Sequence, residues 1–116
     1  MSELDAVLER LSSHEGVTQL ILLGADGLVI QQTGAAREAE TVAARIPGLA
    51  AAAGALGAAT EQGDFVSAAL EFNNGVAIVV NLSPELLLVA LLRSGVGFAP
   101  LLRDLRRERT RLVELL

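Results

Sequence analysis

The chain has no cysteine, lysine, tryptophan or tyrosine, and a single histidine among its 116 residues. Without cysteine there is no disulfide staple, no thiol nucleophile and no thiolate metal site, a usage that fits a cytoplasmic setting. Without lysine there is no Gly-x-x-x-x-Gly-Lys phosphate loop. His14 has no second imidazole or thiol to share a metal with. Next to Glu15 at a helix end, it is expected to cap the helix or face water. The acids are scattered, with no pair at a spacing suited to acid/base work. Gly24-Ala25-Asp26-Gly27 and Gly95-Val96-Gly97 lack the third glycine and distal acid of a dinucleotide fingerprint. These absences leave no enzymatic role for the chain alone, and no cofactor or metal.

Aromatics make up 3% of the chain although 52% is hydrophobic, so Leu, Ala and Val must fill the interior of one domain spanning residues 1–116. The acidic start at Met1-Ser2-Glu3 does not read as a signal peptide. The longest uncharged stretch, Ile46 to Thr60, falls short of a span of about 20 residues, which argues against membrane insertion. Net charge is −5 and unevenly placed: residues 1–92 carry −8, and residues 93–116 carry +3 from six arginines against three acids. An acidic body repels nucleic acid, and a short Arg-rich helix reads first as a solvated face.

Periodicity gives the order of elements. A first helix over about 3–13 carries Leu4, Val7, Leu8 and Leu11 on one stripe, with Ser2 as N-cap, Asp5 three residues on and Gly16 at the exit. Glu3 and Arg10 are expected to face water. Asp26-Gly27 and Asn74-Gly75 each sit between apolar runs and mark hairpins, joining 17–23 to 28–32 and 65–72 to 76–82. Residues 17–23 are apolar on both alternate faces, so that strand is covered on both sides. Residues 65–72 alternate cleanly, with Val66, Ala68, Leu70 and Phe72 on one face, and read as a sheet edge. Between the hairpins lies a long helix over about 38–62, in which Pro47-Gly48 predicts a kink or break. Leu86–Leu92 is ambiguous: Ser83-Pro84-Glu85 opens a helix, yet a seven-residue apolar run also suits a buried strand. A last helix starts near Pro100, with Leu101, Leu105, Leu112 and Leu116 near one stripe.

With chemistry set aside, surfaces remain. In the long helix Val42, Ile46, Leu49, Ala53 and Leu56 recur at steps of four and three, a seam for packing on another element. Its many Ala and Gly residues permit close backbone approach or reflect compositional bias alone. An edge strand with Ser67, Ala69 and Glu71 on one face lacks Lys, Pro or a bulge to protect it. Two copies can pair there about a twofold axis, bringing the long helices together; the alternative is a monomer whose loops shield the edge.

The order helix–hairpin–long helix–hairpin–strand–helix resembles the roadblock / dynein-light-chain family, particularly its small stand-alone bacterial members. The residues carrying the likeness are Gly16-Val17, Leu20–Leu23 and Asp26-Gly27-Leu28-Val29-Ile30, then the Ala-rich helix, Leu70 and Val76–Val80; Pro47-Gly48 departs from the pattern. The resemblance implies an α/β sandwich: a five-stranded antiparallel sheet with one long helix on one face and two on the other (α-β-β-α-β-β-β-α), making Leu86–Leu92 the fifth strand. It implies a homodimer through the third strand and long helix, and a Ras-like small GTPase as partner. Arg37, Glu38, Thr41 and Arg45 are then the expected contact residues on a non-catalytic regulator. The competing readings are a dimerisation or scaffold module without direct GTPase regulation, and a small-ligand sensor.

Overall fold

A computed structural model describes residues 2–34 and 38–116. In chain order the elements are α1 (Glu3–Ser12), β1 (Val17–Gly24), β2 (Val29–Gly34), α2 (Ala39–Ala59), β3 (Ser67–Phe72), β4 (Gly75–Ser83), β5 (Leu86–Arg93) and α3 (Ala99–Glu114). The five strands form one sheet in the order β2-β1-β5-β4-β3, antiparallel throughout. β2 and β3 are therefore its two edges.

Each face of the sheet carries its own apolar layer. Leu20 and Leu22 of β1, Ile78 and Val80 of β4, and Leu88, Ala90 and Leu92 of β5 pack under α1 and α3 through Val7, Leu8, Leu11, Leu101, Leu105 and Leu112. The intervening residues Ile21, Leu23, Val79, Leu87 and Val89 pack on the other face against Ala39, Ala43 and Ile46 of α2. This settles Leu86–Leu92: a run apolar at every position suits a central strand covered on both sides. Ser83 ends β4, and its hydroxyl accepts from the Glu85 N–H at 3.3 Å in the turn to β5.

Local signals hold at most ends. Ser2 and Asp5 form the expected capping box on α1. Gly27 has φ +86° in the first hairpin, where the Asp26 carboxylate accepts from the Leu28 N–H at 3.0 Å. In the second hairpin Phe72 pairs with Gly75, so the loop is Asn73-Asn74, one residue earlier than the Asn-Gly signal. Gly75 is needed for space, since a Cβ there would lie 2.8 Å from the Leu92 carbonyl oxygen. Pro47 does not break the long helix: α2 runs unbroken for 21 residues.

Three expectations are corrected. His14 does not merely face water; its Nε2 lies 2.9 Å from Asp104 Oδ2. Arg10 is not a free surface charge, because its guanidinium donates to Asp104 at 2.6 Å and to Glu108 at 2.8 Å, tying α1 to α3. Leu116 lies beyond the end of α3 and is 49% exposed, so the stripe ends at Leu112.

Candidate interaction surface

α2 lies on the sheet through residues spaced 39, 43, 46 and 50, which fixes what its other faces present. Ile46 is 7% exposed, and Val42 and Leu49 are half-buried against the same layer. These three seam residues are used inside the chain. Ala53 is half-buried, whereas Leu56 is 65% exposed. Thr41 and Arg45 are exposed on the first turns of α2, and Glu38 is exposed at its N-cap. Arg37 lies outside the described residues.

The side of α2 opposite the sheet holds Thr41, Ala44, Gly48, Ala52, Ala55 and Ala59, all exposed. At 100° per residue they form one ridge of small residues along the helix. The sequence reading of the seam missed this ridge. Its signal was the complement of the buried stripe, legible once Ala39 and Ala43 are taken as core positions.

Among the described residues β3 pairs only with β4. Ser67, Ala69 and Glu71 stand opposite Val80, Ile78 and Val76, on the face that α3 covers. Arg106 of α3 reaches over that edge and donates to the Ser67 hydroxyl at 3.1 Å. On the α2 side of the same strand Phe72 is 64% exposed, and Val66 just before it is 43% exposed. The open edge of β3 thus carries exposed apolar side chains at both of its ends.

Elsewhere, two places hold polar side chains with internal partners. An open groove of about 860 Å³ runs past Gly54, Phe65, Asn81 and Arg109. There the Arg109 Nε donates to the Asn81 carbonyl at 3.0 Å and the Asn81 amide to the Phe65 carbonyl at 3.1 Å. These bonds satisfy backbone and leave little convergent polarity to orient a small ligand. In the α1–α3 cluster, burial pushes the Asp104 carboxyl up, but hydrogen bonds from His14 and Arg10 and the Arg10 charge outweigh it and hold it below its ordinary value. Among the described residues no three His, Cys, Asp or Glu side chains converge as a metal-ligand set.

A family model described as the Roadblock/LC7 domain matches residues 3–92. No curated protein matches the chain in sequence. Among solved structures it is similar to Myxococcus xanthus MglB, at 16% identity and a TM-score of 0.87, over 99% of this chain and 95% of that one. It is similar also to a Roadblock/LC7 domain from Streptomyces avermitilis, at 22% identity and 0.86, over 97% of each chain. The gliding protein MglB of Thermus thermophilus superposes at 20% identity and 0.85, over 97% of this chain and 87% of that one. At such identities the likeness is one of fold.

Proposed function

The chain belongs to the Roadblock/LC7 family, and from that premise we propose that it is a non-catalytic homodimeric regulator. Its partner is a Ras-like small GTPase, whose nucleotide state or localisation it modulates in the cytoplasm. One observation carries this reading: β3 is an unpaired edge with Val66 and Phe72 exposed along it, and α2 on the same face of the sheet leaves Leu56 exposed. A monomer rarely leaves an edge strand and large apolar side chains open together. Two copies sharing them build a continuous sheet with paired α2 helices as a platform. The dimer contacts are then Ser67, Ala69 and Glu71 on the strand and Ala53 and Leu56 on the helix, with Val42, Ile46 and Leu49 supporting that helix from beneath.

The GTPase would meet the exposed Glu38, Thr41 and Arg45 at the N-terminal end of each α2, together with Arg37. Such a contact acts by differential affinity, favouring whichever conformation of the partner's switch segments it fits better. Similarity to the gliding proteins named above supports a polarity or motility role. The test is calorimetric titration of the organism's Ras-like GTPase, loaded with GDP or with a GTP analogue. Tighter binding of the GTP form at two chains per GTPase supports the proposal. Absence of binding in both states overturns it in favour of the scaffold module.

A further inference from the structure

The proposed dimer requires two β3 strands to meet, and the residues of that strand select one register. In an antiparallel pair a residue's N–H and C=O point the same way, alternating along the strand. The Val66 carbonyl accepts from the Asn81 N–H at 2.9 Å, which turns residues 66, 68, 70 and 72 toward β4. Ser67, Ala69 and Glu71 therefore present their backbone groups to the open edge. A twofold axis maps residue i onto a partner residue with the same side-chain face, so the axis must fall on a residue.

We propose that the axis passes at Ala69, and that the partner's Glu71 completes a charge pair with Arg106 of this chain across the seam. This inference rests on the dimer reading above and gives it a register. With Ala69 opposite the partner's Ala69, Ser67 faces the partner's Glu71 at a Cα separation of about 5.5 Å. Arg106 already sits on the Ser67 hydroxyl, so its guanidinium lies beside the arriving carboxylate. On the opposite face the same register sets Phe72 against the partner's Val66 and Leu70 against the partner's Ala68. An opposite-charge pair and an aromatic–β-branched pair are the combinations that stabilise neighbouring strands.

Neighbouring registers lose this complementarity. An axis at Leu70 sets Glu71 opposite the partner's Ala69, brings the two Glu71 carboxylates diagonally close and leaves Phe72 against the partner's Ala68. An axis at Ala68 opposes Glu71 to the partner's Phe65 and Phe72 to the partner's Asp64.

Because the chain has no cysteine, single introduced thiols report the register without background. Ala68→Cys, Ala69→Cys and Leu70→Cys are oxidised separately, and the wild-type assembly state is measured by sedimentation. Directly opposed positions fall within disulfide reach, so Ala69→Cys is expected to form the covalent dimer and the other two are not. Separately, E71R and R106E should each weaken dimerisation roughly tenfold, counting two symmetric pairs turned to like charge. The double variant E71R/R106E should restore it. Preferential cross-linking through residue 68 or 70 overturns the register, as does a wild-type dimer with no cross-link at any of the three. A wild-type chain that sediments as a monomer overturns the dimer reading itself.

Discussion

Two acids, Asp104 and Glu108, occupy the core-facing side of α3 between Leu101, Leu105 and Leu112, and both are only 9% exposed. Buried carboxylates are costly unless paired, and Arg10 pairs with both while His14 adds a second bond to Asp104. Sequence patterning does not reveal this cluster, because its members lie 94 and 98 residues apart and a lone Arg on α1 looks like any solvated charge. The acids at a leucine spacing were the only trace of it. Replacing Arg10 by Met keeps the stem and strands two carboxylates, so we expect a loss of about 1–3 kcal/mol in chemical denaturation, moderated because Arg10 is itself half-exposed. The Asp104 carboxyl sits below its ordinary value of 3.8 in the folded chain. A depressed carboxylate contributes stability that is present above the unfolded value and is lost as pH falls through the folded one. The stability gap between wild type and Asp104→Asn should therefore shrink as pH falls below about 3.8, as followed by denaturant midpoints across pH.

The elements themselves were largely legible, because β1 and β4 are short apolar runs bounded by turns, β3 alternates, α1 and α3 carry leucine stripes, and the turns carry Asp-Gly and Asn-Gly. Two places resisted. Leu86–Leu92 has no periodicity at all, and only its central position between β1 and β4 makes it a strand. In α2 the most deeply buried contacts are Ala39, Ala43 and Ile46, and alanines at core positions in an alanine-rich helix give the hydrophobic pattern little contrast. Pro47 misled for another reason: tertiary packing holds the helix through it, with the Gly27 turn seated against Ala43, Ala44 and Pro47. A proline inside a helix costs up to about 3 kcal/mol relative to alanine. Pro47→Ala, which restores the missing N–H donor, should thus raise the denaturation midpoint by part of that amount. Gly75→Ala should do the reverse, losing about 1–3 kcal/mol as its Cβ forces the Leu92 carbonyl away. A neutral Gly75→Ala would mean that β4 and β5 separate there at little cost.

At the scale of the whole molecule, the chain buries one α2 face and leaves the other as a ridge of alanine and glycine, which by itself offers little to hold a partner. That ridge faces away from the sheet, whereas two copies paired through β3 lie side by side in one sheet, so the helices meet by the flank of α2 that holds Ala53 and Leu56. Its apolar length is that of a membrane-spanning helix, yet Ala39, Ala43 and Ile46 anchor it to the sheet. Platform and partner contact then occupy different parts of one helix, so they can be separated by mutation. Ala53→Arg places a long charged side chain at the middle of that flank, well away from Thr41 and Arg45. It should shift the chain to monomer and abolish GTPase binding with it, because each single α2 offers only half of the contact. Arg45→Glu reverses a charge near the exposed N-terminal turns and touches no part of the centre of that flank. It should leave the dimer intact in sedimentation while weakening GTPase binding about tenfold, the scale of one lost interfacial charge contact. If Ala53→Arg instead leaves a monomer that binds as tightly as the wild type, the platform is dispensable and each chain reads its partner alone.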